Sequence, residues 1–169
     1  MIKKNSTNNI VLIGMPGCGK TTTGEMLAKL LDYKFIDTDQ LVIEKTGKNP
    51  RQVVEEHGRD FFLNIQDEVV LSINQSNCVI ATGGGIVHSD TAMNYLKSIG
   101  FVLFLDAKYD IIEERMDASR KLVRTNGSLL ELYNERRPLY CKHADAIIEC
   151  NSVDSQLLCK RILKLIDNA

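Results

Sequence analysis

Short apolar runs and helix-period segments alternate along this chain from one end to the other. Asn9–Met15 (NIVLIGM) is a β-rich run broken by glycine, and Lys34–Asp37, Cys78–Thr82, Phe101–Leu105 and Ala146–Cys150 are further strand candidates. From about Lys20 to Leu31, Thr23, Met26, Leu27, Leu30 and Leu31 recur at helical spacing. The same period runs through Phe61–Ile73, Ile111–Met116, Leu129–Tyr140 and Ser155–Ile166, and Met93 and Tyr95 read as packing residues. Five short, nearly continuous apolar strands interleaved with helices predict an α/β fold, with a parallel sheet covered on both faces. No Pro/Ser-rich linker, composition break or internal repeat divides the chain, so residues 1–169 read as one domain.

One segment departs from this rhythm. Asp117–Ser128 (DASRKLVRTNGS) is polar, carries three basic residues and contains the turn signal Asn126-Gly127. By composition it reads as a solvated loop; beside a phosphate site it reads as a lid that delivers cations.

Composition narrows the class. With 21 basic and 22 acidic residues the formal charge is −1, which gives no electrostatic reason to expect nucleic acid. No apolar run approaches the ~18 residues of a membrane span, and the apolar start at residue 9 runs into a glycine-rich loop, not a cleavage site. Cys18, Cys78, Cys141, Cys150 and Cys159 form no CxxC pair and no Cys/His ligand spacing. Reduced thiols in a cytoplasm are the expectation, with Cys18 serving as a small residue within a motif. His57, His88 and His143 read as surface caps at helix ends or turns.

That motif is Gly14-Met15-Pro16-Gly17-Cys18-Gly19-Lys20-Thr21, which fits G-x-x-x-x-G-K-[ST] without mismatch, between a strand and an amphipathic helix. Glycines let successive backbone N–H groups point inward, and the helix N-terminus adds partial positive charge. Lys20 would reach the β- and γ-phosphates, the Thr21 hydroxyl would ligate Mg²⁺, and Thr22 follows in the same turn. A nucleoside triphosphate is therefore the expected ligand. Guanine-reading N-K-x-D motifs are absent. Leu103-Phe104-Leu105-Asp106 has the form of an ATPase strand-aspartate, but Asp106 reads as a cap for the next helix.

Two further segments point to an acceptor. Phe35-Ile36-Asp37-Thr38-Asp39 puts two carboxylates at i, i+2 directly after a strand, at the sheet edge where ligands bind. Asp37 could hold Mg²⁺ through water and Asp39 could accept the proton of an attacking hydroxyl, while either could instead cap a helix. Thr82-Gly83-Gly84-Gly85 follows another strand, and glycines there allow a ligand close to the backbone or make a tight turn.

These motifs, with Ile43–Gly47 (I-E-x-T-G) and Arg136–Tyr140 (R-R-P-L-Y), occur in the order of the shikimate kinase family, which the chain resembles from about residue 9 to 166. The resemblance implies a P-loop kinase of the nucleoside-monophosphate-kinase type, a three-layer α/β/α sandwich with strand order 2-3-1-4-5, a mobile lid over about 117–128, ATP and Mg²⁺. It implies Lys20 as the phosphate lysine, Thr21 and Asp37 at the metal, Asp39 gripping the acceptor hydroxyl, and Gly84 flanked by Gly83 and Gly85 against the substrate. Arg120 resembles the lid arginine facing the transferring phosphoryl, Arg136 the arginine holding the substrate carboxylate, and Arg115 falls near the adenine-contacting arginine. A small hydroxy-acid substrate, a cytoplasmic monomer, and no nucleic-acid or membrane partner complete the expectation.

The chain also departs from the family pattern. Where G-E-x-x-F-R-x-x-E is expected, it reads Gly58-Arg59-Asp60-Phe61-Phe62-Leu63-Asn64-Ile65-Gln66. Leu63 stands at the arginine of the second carboxylate clamp and Gln66 at its glutamate partner. The lid's R-P-L-L reads Arg120-Lys121-Leu122-Val123. Arg59, one helical turn before Leu63, could reach the same carboxylate and keep shikimate as acceptor. Alternatively, the pocket takes another small polyol or hydroxy acid with Arg136 as its cationic anchor, or the chain is a non-catalytic nucleotide-binding regulatory domain. Each charge-assisted hydrogen bond forfeited costs about 1.5–3 kcal/mol, enough to shift selectivity without excluding shikimate.

Overall fold

The computed structural model describes residues 8–116, 127–151 and 154–167. Of the expected lid only Gly127 and Ser128 fall within that range; Arg120 lies outside the described residues.

Five strands, β1 (Asn9–Ile13), β2 (Lys34–Asp37), β3 (Cys78–Ala81), β4 (Gly100–Asp106) and β5 (Ala146–Glu149), form one sheet in the order β2-β3-β1-β4-β5. Every pairing is parallel, with Ile10 of β1 opposite Val79 of β3 and Phe101 of β4. All five expected strands are present, each ending within two residues of the expectation. β1 and β3 are buried throughout, as strands sandwiched between helical layers must be.

Helices α1 (Lys20–Leu31), α4 (Arg59–Leu71), α6 (Tyr109–Arg115), α7 (Leu129–His143) and α8 (Ser155–Asp167) match the five helix-period segments. Three more, α2 (Thr38–Thr46), α3 (Pro50–His57) and α5 (Asp90–Ile99), are marked by their starts more than by their period. The Asp37 carboxylate caps α2, an Asn49–Gln52 capping box with Pro50 in the first turn opens α3, and Ser89 caps α5. A short 3-10 turn, Ile86–His88, links β3 to α5.

The main core joins the strands to α1, α5, α7 and α8, with α1 packed on α8 and α4 on α5. Val42, Val53, Phe62 and Val69 make a second, smaller core that ties α2, α3 and α4 together. On α4, Phe62 and Val69 face this small core. Arg59, Leu63, Gln66 and Val70, spaced i, i+4, i+7 and i+11, share an adjacent stripe that ends in the main core at Val70. The phosphate-loop motif, the Asp37–Asp39 segment and the glycine triplet follow the C-terminal ends of β1, β2 and β3, so the topology brings all three to one edge.

Candidate active site

The loop between β1 and α1 curls as its glycines require. Gly14 has φ +147°, and a Cβ there would meet the Leu105 carbonyl oxygen at 2.7 Å, so only glycine fits. Gly19, at φ +96°, is the N-cap of α1 and supplies no side-chain acceptor, so no side chain at that cap takes up the first amides of the helix. Lys20 is buried, and its Nζ donates to the carbonyls of Gly14 (2.8 Å) and Met15 (2.9 Å) across the loop. Cys18 lies beneath, buried. A hydrogen bond with Cys150 and the neighbouring Lys20 ammonium pull its thiol below the ordinary value, against the opposing effect of burial. All five cysteines are free.

Thr21 reaches from α1 to the second segment, its Oγ1 donating to Asp37 Oδ2 at 3.2 Å. The other Asp37 oxygen accepts the Asp39 backbone N–H at 2.9 Å, so Asp37 both caps α2 and faces the phosphate loop. Thr22 is exposed one residue further along α1. Among the described residues no three His, Cys, Asp or Glu side chains cluster as a metal cage. A hydroxyl and a carboxylate at 3.2 Å beside a phosphate loop are an oxygen-only donor pair. That set fits Mg²⁺, a hard cation that takes oxygen donors.

Asp39 is the most perturbed carboxyl. Burial first, and then the charge of Asp37, raise it to about 6, with Lys20 pulling the other way. It abuts the glycine triplet: a Cβ on Gly83 would fall 2.5 Å from Asp39 Oδ1. The Gly83 N–H donates to the buried Thr38 hydroxyl at 3.0 Å, which fixes the triplet against α2. A Cβ on Gly84 would strike Pro16 Cδ at 2.7 Å and approach Arg136 Nη1 at 3.3 Å, while Gly85 lies below Arg136 Nη2. The triplet is thus more than a tight turn, since side chains there would separate the phosphate loop from Arg136.

Arg136 projects from α7, buried, with its Nε lacking a partner. One turn on, the fully buried Tyr140 donates its hydroxyl to the Gly84 carbonyl at 2.6 Å and stacks on Phe104 at 5.0 Å. Tyr140 and Thr38 lie inside recognised motifs, yet nothing local in sequence reveals that they brace the glycine triplet. On the other side of the loop, Arg115 Nη1 approaches the Gly17 carbonyl at 3.4 Å. Asp106 does not cap α6: Lys108 holds that position, and Asp106 instead takes a two-pronged contact from Arg137, at 3.1 and 2.7 Å. The arginine of a neighbouring helix outcompetes the local cap.

The altered wall of α4 is also visible. Leu63 is half-buried; Gln66 is 1% exposed and neither of its amide atoms has a hydrogen-bond partner. Arg59 is exposed, but its charge bears on His88 together with that of Arg136. Arg59 and Arg136 are far apart in sequence, yet the charges of both act on that one imidazole. The histidines correct the expectation of surface caps. All three close helical elements, yet only His57 is exposed, while His88 and His143 are 15% and 7% exposed along their side chains.

Fold and site together define a small-molecule kinase built on a P-loop. The family model described as shikimate kinase matches residues 16–167. A shikimate kinase from Clostridium botulinum (strain Eklund 17B / Type B) is 41% identical over 164 residues, covering 95% of this chain and 98% of the relative. A shikimate kinase from Acinetobacter baumannii, solved in complex with shikimate, superposes with a TM-score of 0.90 at 31% identity, covering 97% of this chain and 95% of that one. The Aquifex aeolicus enzyme gives 0.81 at 31% identity, with 95% and 96% covered. The chain belongs to the shikimate kinase family. Among the described residues, no helix is long and apolar enough to cross a membrane.

Proposed function

We propose that this chain transfers the γ-phosphoryl group of ATP to a hydroxyl of shikimate, giving shikimate 3-phosphate and ADP. The observation that carries this reading is the convergence at one sheet edge of Lys20, the raised carboxyl of Asp39, the glycine triplet and the buried Arg136. The backbone from Gly14 to Gly19, with Pro16, Gly17 and Cys18, cradles the phosphates, and Thr22 and Arg115 flank the nucleotide. Lys20 leaves its carbonyl partners for the β- and γ-phosphates, where its charge counts most as the bond between them breaks. Thr21 would hold Mg²⁺ directly and Asp37 would hold it through water, and the ion would supply neutralisation of phosphate charge.

Asp39 orients the acceptor hydroxyl and accepts its proton; ionised above about pH 6, it is poised for that task at neutral pH. Gly83, Gly84 and Gly85 let the acceptor ring lie against the backbone. Arg136 anchors the carboxylate, Arg59 supplies the second cation, and Leu63 offers an apolar wall. Arg120 is assigned to the transferring phosphoryl by resemblance. The enzyme acts as a single kinase domain, a monomer in the cytoplasm, with no nucleic-acid or membrane partner.

The test is ADP release coupled to a spectroscopic readout, with ATP and Mg²⁺, against shikimate and a panel of small polyols and hydroxy acids. Shikimate-dependent ADP formation is expected. No phosphorylation of shikimate at millimolar concentration, or another acceptor clearly preferred, overturns the assignment.

A further inference from the structure

α7 carries Arg136, and Pro138 stands two residues further on inside the same helix. Proline has no backbone N–H, so the carbonyl four residues earlier, on Asn134, loses the rung that would hold the helix together across Arg136. The Nε of Arg136 has no partner either, although the side chain is buried. Where that guanidinium points therefore depends on how α7 is held against its neighbours.

Tyr133, Arg137 and Tyr140, at i, i+4 and i+7, form one stripe of α7 that does the holding. Tyr140 donates to the Gly84 carbonyl at 2.6 Å and Tyr133 to the Ala107 carbonyl at 3.1 Å. Between them, Arg137 donates from Nε to Asp106 Oδ1 at 3.1 Å and from Nη2 to Asp106 Oδ2 at 2.7 Å. A two-point, charge-assisted contact fixes the angle of the helix as well as its distance, which a single hydroxyl cannot do.

The acid is the fixed partner. Asp106 ends β4 opposite Glu149 of β5, and its carbonyl accepts the Cys150 N–H at 3.0 Å. Its side chain is 13% exposed against 46% for Arg137, so this is not a pair standing free in water, where such contacts contribute little. The sheet holds Asp106, and Asp106 holds α7. Breaking the pair would free the helix that carries Arg136 and leave the phosphate loop, which follows β1, in place.

We propose that Arg137 is a positioning residue for the acceptor: its two-pronged hold on Asp106 fixes α7 so that the adjacent Arg136 presents its guanidinium to the acceptor's carboxylate. This rests on the reading that the acceptor is shikimate.

The test is steady-state kinetics of the parent, Arg137→Ala, Arg137→Lys, Asp106→Ala and the double alanine variant. The acceptors are shikimate and its methyl ester, which keeps the ring hydroxyls but lacks the negative charge. Each single alanine variant should raise the shikimate KM about fivefold, with kcat and the KM for ATP within twofold of the parent. The double variant should lie within twofold of either single one, because both remove the same contact. Arg137→Lys, which keeps the charge but not the fork, should fall between parent and Arg137→Ala. With the ester, kcat/KM of the parent and of Arg137→Ala should differ less than twofold. A parent-like shikimate KM in either single alanine variant overturns the proposal, as does a double variant in which the two effects multiply. An equal loss with the ester, or an equal rise in the KM for ATP, also overturns it and marks a merely structural role. A parent that forms no ADP with shikimate removes the functional reading beneath it, a different result from an active parent insensitive to residues 106 and 137.

Discussion

Replacing Asp39 by Asn should make this protein more stable while stopping turnover. The carboxyl is raised from an ordinary 3.8 to about 6, chiefly by burial. That difference corresponds to about 3 kcal/mol by which the folded state disfavours the ionised form. The folded value lies above the unfolded one, so the native state holds this proton more tightly. The group's contribution is therefore fully favourable below about pH 4 and is lost as pH rises through about 6. The penalty reaches about 1.5 kcal/mol at pH 5 and about 3 kcal/mol at pH 8. Asn keeps the shape and cannot ionise, so the advantage of Asp39→Asn should grow between those two pH values by about 1.5 kcal/mol. Urea denaturation at pH 5 and pH 8 reads this directly. With a urea slope of about 2 kcal/mol/M, the midpoint of the variant should exceed the parent's by about 1.5 M at pH 8. In the same preparations, parental kcat/KM should fall below about pH 6 as the carboxylate protonates, and the variant should be essentially inactive. An Asn variant no more stable than the parent at pH 8, or an advantage independent of pH, would refute the placement of an ionised Asp39 in a buried site.

Lys20→Ala should abolish turnover; because Nζ donates to two loop carbonyls, a fall in Tm of a few degrees is also expected by calorimetry. Turnover close to the parent's would exclude Lys20 from phosphoryl transfer. Leu63→Arg with Gln66→Glu restores the family's paired charges on the α4 stripe, and should lower the shikimate KM by about tenfold while leaving the ATP KM unchanged; an unchanged shikimate KM would mean that stripe does not face the acceptor. Tyr140→Phe removes the 2.6 Å hydrogen bond to the Gly84 carbonyl, so stability should drop by about 1–2 kcal/mol and the acceptor KM should rise more than that for ATP. Parent-like values on both counts would show that the triplet needs no such brace.

The features legible in the chain are those written in neighbouring residues. NIVLI, CVIA and the other apolar runs specify strands because a strand buried on both faces needs little more than consecutive apolar side chains. Gly14 through Thr21 specify the phosphate loop because left-handed backbone and a lysine at fixed spacing are local properties. Short α2 and α3 were harder to see, since their few apolar residues close a small core only when Val42, Val53, Phe62 and Val69 come together.

Tertiary structure decided the electrostatics. Asp39 is raised to about 6 by burial first and by the charge of Asp37 second, and Gly83, which follows β3, lies against its carboxylate because β2 and β3 pair in parallel. Asp106 gives up the capping role that its position suggests because α7 delivers Arg137 at hydrogen-bonding distance. His88, at the end of a short turn in the sequence, is pushed below its ordinary value first by burial and then by the charges of Arg136 on α7 and Arg59 on α4. A pKa or an ion pair depends on charges and burial supplied by distant segments, and no local pattern of residues encodes that distance.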